Sequence, residues 1–325
     1  MVEGPLFPIR TKEKKAGFID KTGRIVIKPT YVMTRAFSQG LAAVQYGQDI
    51  LTSKWGYIDK NENFVIKPQF AGADPFSEDL ASVQVGSVLS GKWGFIDLKG
   101  KTVIEPRFSY TRRFSEGLAA VNTLFSDWGF AGAIVHGEWG FIEVKGKMVI
   151  DPKFTDAESF SEGLAPVSTE KHGEGWGFIN AKGEMVIPAK FSWAESFSEG
   201  LAAVNIGSKG GYAKLALSDN GKPIFERKVT EFKAPVSGKS GFIDKTGEII
   251  IEPQYDNARS FTEGLAPVKL ENRWGFINRE GKLVIPPQFR DVEPFHNGLA
   301  RVMVAYEAWG YINKTGNIVW QPSLA

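Results

Sequence analysis

Carboxylates recur along this chain at a fixed place, and they are the residues with the strongest claim to chemistry. Five glutamates each stand two positions before a leucine, in variants of Phe-Ser-Glu-Gly-Leu: Glu78, Glu116, Glu162, Glu199 and Glu263. A pair of carboxylates can hydrolyse a glycosidic bond when the two groups face each other across about 5–10 Å. One glutamate per repeat instead predicts a row along one edge, with its members a repeat apart. We therefore interpret each glutamate as a structural cap.

A second set of acidic and amide residues opens a four-residue turn that ends in glycine. Four copies are Asp20–Gly23, Asn180–Gly183, Asp244–Gly247 and Asn313–Gly316. The leading Asp or Asn can accept hydrogen bonds from the backbone of its own turn, and the glycine can take the positive φ that a bulged hairpin needs. The turn thus explains these residues without a metal ion.

Other residue types that commonly build active sites are scarce or scattered. The chain has no cysteine, and its three histidines, His136, His172 and His296, show no ligand spacing. No phosphate-binding glycine loop occurs, since the glycines belong to turns. We predict a protein with no enzymatic activity, no metal and no cofactor.

Composition narrows the class of partner. The chain is 42% hydrophobic and 13% aromatic, which suffices for a buried core. Its 39 basic and 37 acidic residues leave a net charge of +2 with both signs interspersed, so we predict no nucleic-acid partner. No run of 18 apolar residues is present, so we predict no membrane span. The start of the chain, Met1–Pro5, lacks the basic-then-apolar pattern of a signal peptide.

The elements that must position these residues are short strands. The segment Leu265–Pro287 contains three runs of β-forming residues separated by turn signals, the pattern of a three-stranded antiparallel meander ended by proline. The middle run carries a Trp-Gly pair, and we predict that each indole packs on the backbone of a neighbouring unit. The six pairs are Trp55-Gly56, Trp93-Gly94, Trp139-Gly140, Trp176-Gly177, Trp274-Gly275 and Trp309-Gly310.

The repeat fills the whole chain, so we predict one domain spanning residues 1–325. Nine units start near Leu6, Leu41, Leu80, Leu118, Leu164, Leu201, Ala234, Leu265 and Leu299. The unit at Leu201 is degenerate, with Gly211–Leu215 in place of the Trp-Gly strand. Connectors of the form Pro-x-Phe-x-x-Ala-x-x-Phe predict ordered loops anchored by two aromatic rings, and the glycine before each leucine predicts a positive φ.

Such units cannot bury their faces alone and must stack. Because the array starts on a first strand and ends on a third, no terminal strand is left to complete the opposite end. This phase favours an all-β, open β-solenoid or superhelix of nine three-stranded units. The alternative is a closed β-propeller-like ring.

The repeated residues resemble those of bacterial WG-repeat (KWG-repeat) proteins. The resemblance is carried by Lys54-Trp55-Gly56 and Lys92-Trp93-Gly94 with their downstream turns, and it extends over nearly the whole chain. It departs from the pattern where tryptophan is replaced by Ala16, Gly210 and Ser240. The resemblance implies a β-repeat fold and binding or cell-surface roles, but no catalytic residue. If a signal was removed, it implies the bacterial cell envelope or the extracellular space.

Two functions fit these observations. The first is a scaffold that presents a repeat surface to another protein. The second is a carbohydrate or cell-wall binder that stacks sugars on exposed rings such as Trp128, Trp193 or Tyr110. An insertion over residues 122–138 breaks the template and concentrates apolar residues, which typically mark interfaces. The candidate partner-binding residues are Leu124, Phe125, Trp128, Phe130 and Trp193. The sequence does not identify the partner or the oligomeric state.

Overall fold

Alternating apolar residues and turn glycines divide the chain into short antiparallel strands. A computed structural model describes residues 4–48, 52–123, 137–169, 175–207, 238–306 and 308–322. In these ranges thirty β-strands form eight antiparallel sheets. Six of the sheets have four strands, and the first and last have three.

The first four sheets, numbered blades 1 to 4, take up the N-terminal half. Blade 1 comprises β1 (Phe7–Arg10), β2 (Ala16–Ile19) and β3 (Ile25–Tyr31). Blade 2 comprises β4 (Met33–Thr34), β5 (Ala42–Tyr46), β6 (Lys54–Ile58) and β7 (Phe64–Phe70). Blade 3 comprises β8 (Gly72–Ala73), β9 (Leu80–Val85), β10 (Lys92–Asp97) and β11 (Thr102–Phe108). Blade 4 comprises β12 (Tyr110–Thr111), β13 (Leu118–Thr123), β14 (Glu138–Glu143) and β15 (Met148–Phe154).

Blades 5 to 8 follow the same order. Blade 5 comprises β16 (Asp156–Ala157), β17 (Ala165–Ser168), β18 (Trp176–Ile179) and β19 (Met185–Phe191). Blade 6 comprises β20 (Trp193–Ala194), β21 (Ala202–Ile206), β22 (Lys239–Ile243) and β23 (Ile249–Tyr255). Blade 7 comprises β24 (Asn257–Ala258), β25 (Leu265–Leu270), β26 (Arg273–Asn278) and β27 (Leu283–Phe289). Blade 8 comprises β28 (Leu299–Ala305), β29 (Ala308–Asn313) and β30 (Ile318–Trp320), and an isolated bridge adds Val292 beside Val302.

Packing between the sheets closes the molecule into a ring. Each neighbouring pair of blades shares one hydrophobic core, and the last and first blades share one as well. At that junction Phe7 and Tyr311 pack with ring centroids 5.6 Å apart, and Tyr311 Oη donates to the Pro8 carbonyl at 2.7 Å. The fold is an eight-bladed β-propeller. The predicted open β-solenoid is wrong, because side-chain packing rather than a shared terminal strand joins blades 8 and 1.

The count of nine units is also wrong. The units predicted at Leu201 and Ala234 are one blade, because β21 pairs directly with β22, from Ala202 opposite Ile243 to Ile206 opposite Lys239. Residues 208–237, which include the predicted degenerate strand Gly211–Leu215, lie between these two strands and outside the described residues.

Each regular blade has a fourth strand that the three-run template did not predict. It comes from the connector, where two residues pair with the next strand, as Gly72 and Ala73 do with Gln84 and Val83. Serine side chains link equivalent turns of neighbouring blades, for example Ser38 Oγ to the Phe76 carbonyl at 2.6 Å. Equivalent residues can touch in this way only near the axis of a ring, so this short strand is the innermost one.

The anchors predicted in the connector are confirmed. Phe70, Ala73 and Phe76 are all buried, and they belong to the core between blades 2 and 3. The predicted positive φ of the glycine before each leucine is also confirmed, and Asp79 adopts it where it replaces glycine.

The Trp-Gly glycine is required by a crossing within its own blade. In blades 2 and 7 the pairing between the third strand, which carries the Trp-Gly pair, and the fourth, outer strand shifts in register on both sides of the aromatic residue after the glycine. At this shift the outer strand crosses over the glycine. A Cβ on Gly275 would lie 2.5 Å from the Ile285 carbonyl oxygen and 2.7 Å from the Pro287 nitrogen. Proline therefore sits inside the outer strand at the crossing and does not end it. The backbone close to this glycine belongs to its own blade. The prediction for the indole concerns the tryptophan and stays a prediction.

Candidate functional site

The recurrent glutamates link one blade to the next. The segment between the innermost and second strands, here called the inner turn, places each glutamate in the left-handed region, with φ near +55° at Glu162 and Glu199. Each carboxylate accepts the backbone N–H of the inner-turn glycine one blade ahead. The pairs are Glu78 with Gly117, Glu116 with Gly163, Glu162 with Gly200, Glu199 with Gly264 and Glu263 with Gly298. These contacts confirm that the glutamates are structural caps.

A basic side chain completes this contact at the last three links. Lys245 lies 2.9 Å from Glu162, and Lys314 lies 3.1 Å from Glu263, while Arg279 is 3.8 Å from Glu199. Burial alone raises the pKa of Glu162, but the Gly200 N–H and the Lys245 ammonium outweigh it and hold the pKa below its usual value. The link therefore operates as an ionised carboxylate.

Charged residues directly after the innermost strands form a second set of links near the axis. Arg112 pairs with Glu158 of the next blade at 2.6 Å, and its guanidinium stacks over Trp139 of its own blade. Arg259 also stacks on the tryptophan of its own blade, Trp274, and pairs with the next blade at 3.0 Å, but its partner is Asp291, just before the bridge residue Val292. The repeat tryptophans are thus partners of structural arginines.

Some carboxylates of this inner region are poorly solvated. Burial raises the pKa of Glu158 despite the Arg112 guanidinium beside it. Burial likewise raises the pKa of Glu195, whose carboxylate accepts from the Ser260 backbone N–H at 2.5 Å and from Ser260 Oγ at 2.7 Å. Both groups bridge neighbouring blades, so they stabilise the ring in the arrangement seen here.

Within the described residues, blade 1 differs from the other blades because β1 pairs only with β2 and no strand lies at its other edge. Inner-turn residues of blades 8 and 2, together with Pro5–Pro8 of blade 1, line a cavity of about 300 Å³ between these three blades. Its walls include Lys60, the ion pair of Arg301 with Glu293 at 2.9 Å, and His296. We call this space the blade 1 cleft.

Two contacts that the inner turn and the residue after the innermost strand make in other blades are supplied here by other residues. In each other blade an inner-turn phenylalanine packs on the aromatic residue of the preceding blade, as Phe76 does on Tyr57 with centroids 4.8 Å apart. At the cleft, Phe7 of β1 supplies that ring to Tyr311. Tyr311 Oη also reaches the Pro8 carbonyl. The equivalent carbonyl elsewhere accepts the backbone N–H of the residue that follows the innermost strand, for example Arg35 N–H to Ala43 at 2.8 Å. The aromatic contact and the carbonyl hydrogen bond are therefore both made at the cleft, by Phe7 and by Tyr311.

Of the five partner-binding residues predicted from the sequence, only Trp193 is among the described residues. Leu124, Phe125, Trp128 and Phe130 lie outside the described residues, whose nearest pair is Thr123 opposite Glu138 in the β13–β14 hairpin. Trp193 lies in β20, half-buried against the core between blades 6 and 7. Their role in binding stays a prediction.

Sequence reasoning missed the cleft, although one substitution signals it. The residue after the first leucine of each unit is alanine in blades 2 to 8 and Phe7 in blade 1. A ring in place of a methyl group indicates that blade 1 lacks a neighbour which the other blades have.

Comparisons with known proteins agree with this architecture. The described residues contain no helix long and apolar enough to cross a membrane. Comparison with curated protein sequences found no match. A solved structure described as a eukaryotic initiation factor is similar, with a TM-score of 0.54, 12% identity, and coverage of 99% of this chain and 96% of that one. A structure from a study of two prolyl endopeptidases has a TM-score of 0.56 and 8% identity. That alignment covers 89% of this chain and 49% of that one, so this chain spans about half the enzyme's length. At such identities the likeness shows the fold alone.

A family model described as WG containing repeat matches most of the chain. The matched segments are residues 17–48, 55–88, 93–123, 139–171, 176–209, 241–274, 274–305 and 309–322. Eight matches agree with eight blades, and the resemblance expected from the Trp-Gly repeats is confirmed. The chain belongs to the WG containing repeat family.

Proposed function

We propose that this propeller is a non-enzymatic interaction protein that binds a partner protein at the blade 1 cleft. The observation that carries the proposal is an edge of β1 that pairs with no described strand, close to a cavity of about 300 Å³. In the part of the chain that the structure describes, Phe7–Arg10 pairs on one side only, with β2. An unpaired strand edge is a template for an extended segment of another polypeptide.

The rest of the described ring supports a binding role over catalysis. The recurrent glutamates, which were the best candidates for acid–base chemistry, each hold the glycine of the next blade. The inner arginines stack on tryptophan and bridge to the next blade. Residues committed to these contacts stabilise the ring and keep the cleft in one shape.

A carbohydrate-binding role remains the alternative, and the exposure of aromatic rings weighs against it. A sugar platform needs a flat ring in solvent. Each described tryptophan is buried or half-buried, including Trp193. Tyr110 is 64% exposed, and Tyr46 and Tyr306 are exposed as well, which favours the alternative; these three rings lie in three different blades. A partner protein therefore suits the described surface better than a polysaccharide.

The experiment closes the cleft by supplying its missing strand. In the repeat register Ala325 corresponds to Ala71 and Met1 to Pro75, so a copy of residues 72–74 added after Ala325 would supply the innermost strand without repeating positions that residues 1–5 hold. The matched control carries the same residues in scrambled order. Wild type, the in-register extension and the scrambled extension are each used to capture partners from the native source, with quantitative mass spectrometry as the readout.

The proposal expects that proteins captured by wild type and by the scrambled form are lost from the in-register extension. Equal capture by all three proteins would place partner binding elsewhere and overturn it. Capture of polysaccharide that is lost in Tyr110→Ala, and unchanged by either extension, would support the carbohydrate alternative.

A further inference from the structure

Three aromatic rings meet on the surface between blades 1 and 2. The ring of Tyr46, the last residue of β5, contacts Tyr31 of β3 and Phe64 of β7. Its centroid is 6.3 Å from that of Tyr31 and 5.7 Å from that of Phe64, with interplanar angles of 62° and 74°. Tyr31 is buried, whereas Tyr46 is 55% exposed and Phe64 36% exposed. These three rings, here called the rim cluster, therefore open to solvent through Tyr46 and Phe64.

Two rings of the rim cluster stand at repeat positions that are not aromatic in any other blade. The counterparts of Tyr46, at the end of the second strand, are Thr11, Val85, Thr123, Thr169, Ile206, Leu270 and Val304. The counterparts of Phe64, at the start of the outer strand, are Ile25, Thr102, Met148, Met185, Ile249, Leu283 and Ile318. The other blades fold without these two rings, so the scaffold does not require them.

Blade 2 departs from the template at a third position, in the turn before Phe64. Glu62 stands where the other seven blades have a turn glycine, namely Gly23, Gly100, Gly146, Gly183, Gly247, Gly281 and Gly316. The Glu62 N–H still donates to the Asp59 carbonyl at 3.2 Å, and its φ is +65°. A side chain is strained in this left-handed conformation, and such strain is typical of functional positions.

The Glu62 side chain leaves this turn beside the rim cluster. In blade 7, a Cβ on the equivalent Gly281 would lie 3.8 Å from the hydroxyl oxygen of Tyr255, which is the counterpart of Tyr31. Burial raises the pKa of Tyr31, and the nearby Glu62 carboxylate and Tyr46 hydroxyl raise it further. Among the ion pairs of the described residues, none includes Glu62. The rings therefore have an anionic neighbour whose charge no basic side chain balances in this part of the chain.

We propose that Tyr46, Phe64 and Glu62 bind a trimethylammonium cation of the choline class. The faces of aromatic rings attract cations, and rings set at an angle to one another are a common receptor for quaternary ammonium groups. The 74° angle between Tyr46 and Phe64 forms such a corner, whereas a sugar stacks on a single flat face. Glu62 supplies the opposite charge, and Tyr31 supports Tyr46 from the protein side. None of these residues lines the blade 1 cleft, so the inference does not depend on the proposed function.

The test titrates the 325-residue chain with choline and with two reference ligands by isothermal titration calorimetry. The first reference is the neutral tert-butyl analogue of choline, in which carbon replaces nitrogen and the shape is kept. The second is ethanolamine, which is charged but carries no methyl groups. We expect choline to bind roughly tenfold more tightly than either, because it alone combines apolar contact with a positive charge.

A ring variant and its control locate the binding. Tyr46→Leu should weaken choline binding roughly tenfold, because leucine offers apolar contact but no electron-rich face. Tyr110→Leu removes a tyrosine that is 64% exposed in blade 4, and it should leave the affinity unchanged. Circular dichroism checks that both variants are folded.

Glu62→Gly separates binding from folding. It restores the residue found in the other seven turns, so it should raise the urea midpoint of unfolding while it weakens choline binding. A variant that is more stable yet binds less cannot have lost affinity by unfolding. Glu280→Gln removes an exposed carboxylate from the equivalent turn of blade 7, and it should leave the affinity unchanged.

Phosphocholine distinguishes two sources of the cation. Lys54 lies opposite Tyr46 in the β5–β6 pairing and is exposed. Tighter binding of phosphocholine than of choline, lost in Lys54→Ala, would identify a phosphocholine headgroup as the ligand. Equal binding would identify the free base. Either result supports the site.

Three results would overturn the inference. One is equal affinity for choline and its tert-butyl analogue, which would reduce the rim cluster to an apolar patch. Another is no choline binding by the wild-type chain. The third is full choline affinity in Tyr46→Leu or in Glu62→Gly, which would place any binding elsewhere.

Discussion

At the scale of single residues, the recurring glycines of this chain are required for two different physical reasons. The inner-turn glycine is needed for its φ, as at Gly264 (+83°), where a Cβ would meet open space. The Trp-Gly glycine is needed for its missing side chain, because the outer strand crosses over it. The sequence repeats both glycines equally, yet the cost of replacing them differs.

We expect Gly275→Ala to lower the free energy of unfolding by about 3 kcal/mol or more, since its Cβ would lie 2.5 Å from a backbone oxygen that cannot move without breaking the crossing. Gly264→Ala is the matched control, and we expect it to cost about 1 kcal/mol from the left-handed φ alone. Urea unfolding of the two variants and wild type measures both values. Equal losses would contradict the crossing as the reason for the Trp-Gly pair.

Glu195 gives a prediction on pH dependence. Burial raises the pKa of this carboxyl in the folded protein, so between its unfolded and folded pKa values the folded state binds more protons than the unfolded state. This group's contribution to stability is therefore greatest at acidic pH and declines as pH rises through that interval.

We expect Glu195→Gln, which does not titrate, to gain stability relative to wild type as pH increases from about 4.5 toward neutrality. Glu263→Gln serves as the control of opposite sign. Burial raises the pKa of Glu263, but its hydrogen bond and ion pair with Lys314 outweigh burial and lower it, so the native carboxylate loses stability as pH falls. Urea unfolding at a series of pH values checks both slopes. A flat difference between Glu195→Gln and wild type would contradict the buried-carboxyl assignment.

At the scale of elements, the sequence predicted what local pattern determines. Strands such as Arg273–Asn278 and the turn that ends at Gly247, with φ of +84°, follow from alternation and turn chemistry. The innermost strand was missed because two residues, as in Gly72–Ala73, are too few to show a period. The blade 1 cleft was missed because it depends on how three blades pack around the start of β1, and in the first unit only Phe7 departs from the alanine of the other units.

The register of the β13–β14 hairpin in blade 4 shows how the insertion can be replaced by a short turn. Thr123 pairs with Glu138 as Leu270 pairs with Arg273, and in blade 7 the tip between them is Glu271-Asn272, both at positive φ. Replacing residues 124–137 by Glu-Asn should therefore retain wild-type stability within about 1 kcal/mol, because every described strand pair is kept. Thermal unfolding measures this.

The same variant tests the partner-binding residues predicted from the sequence. If Leu124, Phe125, Trp128 and Phe130 contact the partner, the trimmed protein folds normally and captures less of it. A trimmed protein that fails to fold would show that these residues belong to the core. Unchanged capture by a folded variant would remove them from the interface.

At the scale of the whole molecule, ring closure could not be read from the repeat. The repeats begin on a first strand and end on a third strand. An open array was predicted from this, on the assumption that a closed ring needs one blade built from both ends of the chain. The structure closes instead through the core that joins Phe7 and Ile9 with Leu299 and Tyr311. Such packing depends on the angle by which each blade is rotated relative to the next. The sequence pattern of a single repeat unit does not determine that angle.

Closure makes a prediction that separates a ring from an open stack. In a ring every blade has two neighbours, so the position of the chain ends matters little. A circular permutant that joins Ala325 to Met1 through a short Gly-Ser linker, and opens the chain between Leu89 and Ser90, should fold and melt within roughly 5 °C of wild type. Leu89 is 98% exposed at a hairpin tip, so the cut removes no core contact.

Deletion of Leu299–Ala325 provides the contrast. It removes the strands of blade 8 and exposes the buried faces of blades 7 and 1, including Phe276 and Phe7. We expect this protein to lose cooperative unfolding and to aggregate, whereas an open stack would lose one terminal unit and remain folded. Differential scanning calorimetry of both proteins measures the outcome. A well-folded deletion variant together with an unfolded permutant would contradict closure through side-chain packing.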